Sequence, residues 1–174
     1  MGVNQRAVGW VRDLVMREGI MKYPLWLTRS ASIIIFLWVA GCASTPKPTV
    51  VQVLLDVQPN VNPDSRGRSS PVIMRLYEIK SLAAFNTADF FSIFDRDKET
   101  LGAELLAREE FQLRPGEKRQ FNKQLQPETR YVGVIAAFRD LERSQWRTAV
   151  AVTPNKTSGV LIQLDAKKIT MSPR

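Results

Sequence analysis

The sequence predicts a mainly β protein, a two-sheet β-sandwich with a short helical insertion after the second strand. Short apolar segments with strand-like patterns recur along residues 50–174, and turn residues separate them. Only residues 81–94 instead space their aromatic side chains at helical intervals. The 174 residues are 44% hydrophobic, which suits one folded domain.

The first predicted strand begins at Val50, and its apolar residues recur at every second position. The odd-numbered positions are apolar, namely Val51, Val53, Leu55 and Val57. The even-numbered positions are mostly polar and include Gln52, Asp56 and Gln58. Such a period of two predicts a strand with one buried face. The preceding residues 42–49 contain two prolines and predict an extended, semi-stiff tether.

The remaining predicted strands are, in chain order, residues 71–79, 103–113, 117–125, 130–138, 146–152 and 159–165, with residues 167–171 as an extension of the last. Residues 130–138 are apolar on both parities, which predicts a central strand. The Pro115-Gly116 turn predicts a hairpin that pairs residues 103–113 with residues 117–125. Residues 154–156 predict the turn before the last strand.

Residues 81–94 predict one or two short helices against a sheet, because Phe90 and Phe94 lie four residues apart. The charged residues 95–99 resemble the start of a calcium-binding loop. However, Thr100 and Leu106 stand where an EF-hand needs Gly and Glu. We therefore interpret residues 95–99 as a solvated acidic turn after a helix.

Residues 1–41 predict a lipoprotein signal peptide. Lys22 and Arg29 precede a ten-residue apolar run, residues 31–40, which is too short to span a bilayer. Small residues then lead to Cys42, the predicted lipid attachment point. The alternative is a buried N-terminal helix with an incidental cysteine. Met21 is a possible true start, since it gives a signal of ordinary length.

Removal of the signal peptide changes the charge. Residues 1–41 hold five of the 25 basic and two of the 17 acidic residues, so the +8 of the whole chain becomes 20 against 15, or +5. A mildly basic, exported domain is a poor nucleic-acid binder, and the lipid supplies the membrane attachment. Ala43, rather than an aspartate, follows the cysteine. This favours the outer membrane, with the domain facing the periplasm.

The sequence offers little for catalysis. It has no histidine, so Ser69-Ser70 lacks the usual base, and one cysteine cannot form an internal disulfide. Glu109 and Glu110 would point to opposite faces of a strand and cannot flank one bond. We expect no enzyme activity, no catalytic or metal-ligating residues, no small-molecule substrate and no cofactor beyond a covalent lipid on Cys42.

The long connection between the first two strands, residues 58–70, is the candidate partner-binding loop. Hairpin connections usually need two to five residues, and longer loops are often binding loops or disordered. Its prolines and Asn/Asp residues favour a partly shaped loop over a floppy insertion. Asn62, Asp64 and Arg66 can form hydrogen bonds, and Val61 could enter an apolar pocket of a partner. The full set of candidate contact residues is Asn60, Val61, Asn62, Asp64, Ser65, Arg66 and Arg68.

An ordered set of motifs resembles the type VI secretion lipoprotein family TssJ (also called SciN). The matching segments are residues 67–80, 85–95, 113–117 and 131–140, Leu101-Gly102, Trp146-Arg147 and the lipobox at Cys42, whereas residues 1–20 match nothing in the family. The resemblance implies a transthyretin-like β-sandwich anchored to the outer membrane. It also implies binding to the periplasmic C-terminal domain of TssM, chiefly through the loop matching residues 58–70, and an indirect link to TssL.

A different class of function remains open. A lipoprotein sandwich could instead carry a small ligand or chaperone a secreted subunit. A deep apolar pocket between the sheets would favour that alternative, whereas a filled core and a projecting loop would favour the assembly role.

Overall fold

A computed structural model describes residues 46–174. In chain order the strands are β1 (Val50–Val57), β2 (Val72–Ile79), β3 (Leu105–Leu113), β4 (Lys118–Gln124), β5 (Tyr131–Ala136), β6 (Arg147–Ala151), β7 (Thr157–Leu164) and β8 (Ile169–Pro173). Two helices, α1 (Ala83–Thr87) and α2 (Phe90–Leu101), follow β2, and short 3₁₀ turns span Gly102–Glu104 and Leu141–Arg143. The predictions for residues 1–41, Met21 and Cys42 lie outside the described residues.

The strands form two four-stranded sheets, with the orders β4-β1-β7-β8 and β3-β2-β5-β6. The pair β1–β7 is parallel, and the other neighbouring strands are antiparallel. The predicted two-sheet sandwich and the helical insertion after the second strand are therefore confirmed. The prediction that residues 130–138 contain a central strand is also confirmed, since β5 lies between β2 and β6.

The main core lies between the two sheets. The apolar side chains at the odd-numbered positions of β1 are at most 1% exposed. They share this core with inward-facing residues of β2, β5 and β7, such as Met74, Val134 and Ile162. Full burial of each aliphatic side chain contributes roughly 1.5–3 kcal/mol relative to exposure. The predicted alternation along β1 therefore reflects one face on this core and one face toward solvent.

A second core lies on the outer face of the β3-β2-β5-β6 sheet. There the helices place Phe85, Phe90 and Ile93 over Tyr77 and Ile135. Because β5 is covered on both faces, its residues are apolar on both parities. The helix α2 is capped by Asp89, whose carboxylate accepts the backbone N–H of Ser92 at 3.0 Å.

Three local predictions are wrong. The Pro115-Gly116 turn is present, but β3 pairs with β2 and β4 pairs with β1, so the turn carries the chain between sheets and closes no hairpin. The last strand is not extended; a turn at residues 165–168 begins the separate strand β8, antiparallel to β7. The charged residues 95–99 are solvated except for Asp97, but they lie within α2, which kinks at Arg96, rather than in a turn after it. Asp97 is 5% exposed and accepts a hydrogen bond from Arg108 at 2.7 Å.

Candidate functional site

The strand β1 connects two opposite ends of the sandwich. At its start, Thr49 is buried, its carbonyl accepts the N–H of Leu125 at 2.9 Å, and its hydroxyl oxygen accepts the N–H of Asn155 at 2.8 Å. Residues 46–48 before it are exposed, so the chain joins the sandwich at Thr49. At roughly 3.3 Å per residue, the eight residues of β1 place residues 58–70 about 26 Å from this tether end. We call the end that carries residues 58–70 the distal end.

The loop of residues 58–70 has a defined shape. Its backbone is joined to the turn after β7, because Gln58 donates to the carbonyl of Leu164 at 2.8 Å and Asn62 to that of Ala166 at 2.9 Å. Its two arms are joined by the Ser69 hydroxyl, which donates to the Pro59 carbonyl at 2.6 Å. The prediction of a shaped loop, rather than a floppy insertion, is therefore confirmed.

Two of the predicted contact residues are part of the protein's own interior. Val61 is fully buried in the main core, so it cannot enter a pocket of a partner. Asn62 is 4% exposed and uses its amide internally, donating to the Pro71 carbonyl and accepting the Arg139 N–H, both at 2.8 Å. Their predicted partner contacts are corrected to structural roles, because burial and hydrogen bonding leave neither side chain free.

The tip of the loop is organised by Asp64. One carboxylate oxygen accepts the backbone N–H groups of Arg66 and Arg68, both at 2.9 Å, and the other accepts Nε of Arg68 at 2.8 Å. Gly67, with a φ of +77°, supplies the left-handed residue of this turn. The backbone N–H of Arg68 lowers the pKa of Asp64 most; burial partly opposes this, and the Arg68 side chain, the Arg66 N–H and the charge of Arg139 lower it further.

The exposed residues of the loop are its candidate contacts. Asn60, Ser65, Arg66 and Arg68 are exposed, and their role in binding stays a prediction. The structure adds Arg139, which sequence reasoning missed. Its backbone N–H binds Asn62, and its charge lies close enough to act on Asp64. No sequence signal connects two residues 77 positions apart, because only the fold brings the two loops together.

The arrangement of side chains gives little support for catalysis. Glu109 pairs with Lys123, and Glu110 pairs with Arg75 at 2.7 Å on the other face of β3, as the strand geometry predicted. Within residues 46–174, no three His, Cys, Asp or Glu side chains are grouped closely enough to hold a metal ion. In the same part of the chain, no helix is both long and apolar enough to cross a membrane.

The space between the sheets is filled by side chains. Its buried residues are at most 8% exposed. A cleft of about 570 Å³ instead opens at the distal surface beside Pro71. It is lined by Arg114 and Glu117 of the β3–β4 turn and by Arg119 at the start of β4. Packed sheets with a shaped, projecting loop favour docking to a partner over transport of an apolar ligand in the core.

The model of a family described as "Type VI secretion lipoprotein, VasD, EvfM, TssJ, VC_A0113" matches residues 49–167. Among solved structures, the chain is similar to the type VI secretion lipoprotein TssJ1 from Pseudomonas aeruginosa. The two are 42% identical, with a TM-score of 0.71, and the match covers 73% of this chain and 97% of that one.

Two further structures share the fold at lower identity. A chain of a structure described as "Type VI membrane complex" is 22% identical, with a TM-score of 0.64, over 73% of this chain and 100% of that one. A chain of a structure described as "T6SS protein TssM C-terminal domain (869-1107) from EAEC" is 21% identical, with a TM-score of 0.60. The match covers 72% of this chain and 98% of that one. A search of curated protein sequences returns no match.

Proposed function

Because the chain belongs to the TssJ (SciN) family of type VI secretion lipoproteins, we propose that it ties the secretion channel to the outer membrane. In this proposal Cys42 carries the lipid, and the sandwich faces the periplasm. The distal loop binds the periplasmic C-terminal domain of TssM, an inner-membrane protein, and through it the chain is linked to TssL.

One observation carries this function: residues 46–49, the part of the tether that the structure describes, and the loop of residues 58–70 lie at opposite ends of β1. A protein held to a membrane at one end and bound to a partner at the other can transmit tension along its length. The connection between the ends is stiff, because β1 lies inside its sheet between β4 and β7 and packs on the main core.

The choice of TssM as the partner has separate support. The matched chain of the structure described as the TssM C-terminal domain has the same fold as this sandwich, and so does the matched chain of the type VI membrane complex. The shaped loop suits such a role, since a preformed loop loses little conformational freedom when it binds.

The anchor is tested with Cys42→Ser. This variant should leave the outer-membrane fraction and lose type VI secretion, whereas its sandwich should keep the circular dichroism spectrum of the unmodified domain. Several acyl chains hold a protein stably because each buried CH₂ contributes about 0.8 kcal/mol. Full secretion by an unacylated variant would refute the anchoring role.

The loop is tested by changing only its exposed tip. Replacement of residues 60–68 by a short turn would also remove buried Val61 and Asn62 and damage the core. The triple variant Ser65→Ala, Arg66→Ala, Arg68→Ala leaves both in place. Calorimetry with the TssM periplasmic domain should show weaker binding at unchanged thermal stability; unchanged affinity would move the interface elsewhere.

A further inference from the structure

Three arginines lie near the carboxylate of Asp64 at the distal end. Asp64 accepts the backbone N–H groups of Arg66 and Arg68, and Arg139 lies close enough to influence its charge. Only Arg68 forms an ion pair with it, at 2.8 Å. Arg66 and Arg139 form no ion pair with any residue of the described part. We call Asp64, Arg66, Arg68 and Arg139 the arginine cluster, and its net charge is +2.

The neighbouring loops do not neutralise this cluster. Apart from Arg139, which belongs to the cluster, these loops balance: residues 140–143 and 165–168 contribute three cations and three anions, which are Arg143, Lys167 and Lys168 against Asp140, Glu142 and Asp165. Asp140 is already paired with Lys167 at 2.7 Å. The distal end therefore presents guanidinium groups that have no acidic partner within the sandwich.

The backbones of the two unpaired arginines are held in place. The N–H of Arg66 is bound to Asp64, and the N–H of Arg139 is bound to buried Asn62. Their side chains are exposed, so each projects from a fixed point. A guanidinium group binds a carboxylate through two parallel hydrogen bonds, and a fixed backbone reduces the entropy lost on binding.

Resting on the proposed function, we propose that Arg66 and Arg139 bind carboxylates on an acidic surface of the TssM periplasmic domain. The partner-binding surface is then a composite of two loops, residues 58–70 and the loop after β5, joined by Asn62. A protein partner fits better than an anionic lipid surface, because the arginine cluster lies about 26 Å along β1 from the tether end.

Charge reversal tests this surface. Full-length protein in detergent is titrated with the TssM periplasmic domain by calorimetry at 50 and 500 mM NaCl. Arg66→Glu and Arg139→Glu should each weaken binding at least tenfold at low salt, and high salt should weaken the unmodified protein. Lys156→Glu is the matched control, since it changes an exposed cation in the turn between β6 and β7, at the tether end, and should alter affinity less than twofold.

Cross-linking locates the contact. In Arg139→Lys, the new amine should be joined by a zero-length carbodiimide to an aspartate or glutamate of TssM, whereas the native Lys156 should not react with the partner. Arg139→Gln is a second variant with little effect on folding, and it should give an affinity between those of the unmodified protein and Arg139→Glu. Circular dichroism melting should show that these variants keep the fold.

The possible failures are distinct. If Arg66→Glu and Arg139→Glu both bind tightly and salt does not weaken binding, the two arginines do not contact an acidic surface of TssM. The proposed function would then remain valid. No binding by the unmodified protein overturns the proposed function and this inference with it. If the reversals abolish binding to vesicles containing anionic lipid but spare the affinity for TssM, the cluster is a membrane contact and the inference is wrong.

Discussion

The side chain of Asn62 holds the backbone of Arg139, with its amide oxygen 2.8 Å from the Arg139 nitrogen. The same amide donates to the Pro71 carbonyl at 2.8 Å, and the Asn62 backbone N–H donates to Ala166. One buried residue thus joins three segments at the distal end. Its φ of +50° is a conformation that asparagine tolerates better than most residues.

Asn62→Ala should destabilise the sandwich by about 2–4 kcal/mol, because it leaves a buried carbonyl and N–H unpaired and adds strain at a positive φ. Urea denaturation measures this change. Asn62→Gly is the matched control, since it loses the same hydrogen bonds without the strain and should be destabilised less. Equal losses in the two variants would show that backbone strain contributes nothing.

Gly133 allows α1 to pack on the sheet. A Cβ at this position would lie 2.8 Å from Cζ of Phe85 and 3.0 Å from Cδ1 of Ile79. Gly133→Ala should therefore cost about 1–3 kcal/mol by overpacking. Adding Phe85→Leu should recover part of that loss, since the contact at Cζ disappears. A double-mutant cycle measures the coupling, and strictly additive effects would place the strain elsewhere.

A buried ion pair joins the two sheets near the tether end. Lys123 of β4 lies 3.0 Å from Glu78 of β2, and Glu78 also accepts hydrogen bonds from Gln126 and Thr129, both at 2.8 Å. Lys123→Met should cost about 3–5 kcal/mol, because it leaves the carboxylate of Glu78 buried without a cation. The double variant Glu78→Gln, Lys123→Met should lose less. Thermal denaturation should show that the double variant is less destabilised than Lys123→Met.

Because of Lys123, we expect the stability of the fold to fall at alkaline pH. Burial lowers the pKa of Lys123, but hydrogen bonds to Glu109 and Glu78 raise it above the ordinary 10.5. Its contribution to stability is therefore complete below pH 10.5 and is lost as the pH rises through the folded-state pKa. The stability difference between the unmodified protein and Lys123→Met should shrink above that pH. A constant difference would contradict this role.

At acid pH the turn at the tip of the loop should lose stability, because the carboxylate of Asp64 becomes protonated. The backbone N–H of Arg68 is the main cause that holds the pKa of Asp64 below 3.8. A lowered pKa stabilises the folded loop above 3.8, and this stabilisation is lost as the pH falls through the folded-state value. Carbon-detected NMR of the Asp64 carboxyl should give a midpoint below 3.8, and Asp64→Asn should expose the Arg66 and Arg68 amides to faster exchange. A midpoint at 3.8 or above would contradict the hydrogen bonds from Arg66 and Arg68 to the Asp64 carboxylate.

The sequence by itself determined the class of the fold, the position of most strands and the family. These features depend on short-range patterns: alternation along β1, apolar residues on both parities of β5 and turn residues between strands. Cys42 is also a sequence inference, because its lipobox is a local motif. The loop of residues 58–70 could be singled out by its length alone.

Only the tertiary structure decided which strands pair and which loop residues are free. The Pro115-Gly116 turn permits a hairpin, yet the pairing partners of β3 and β4 lie far away in sequence. Val61 and Ser65 are both loop residues in the sequence, but one fills the core and the other is exposed. Arg139 lies beside the loop of residues 58–70 because buried Asn62 joins two segments that are distant in the sequence. Burial and long-range hydrogen bonds depend on residues far apart in the chain, and local patterns do not encode such contacts.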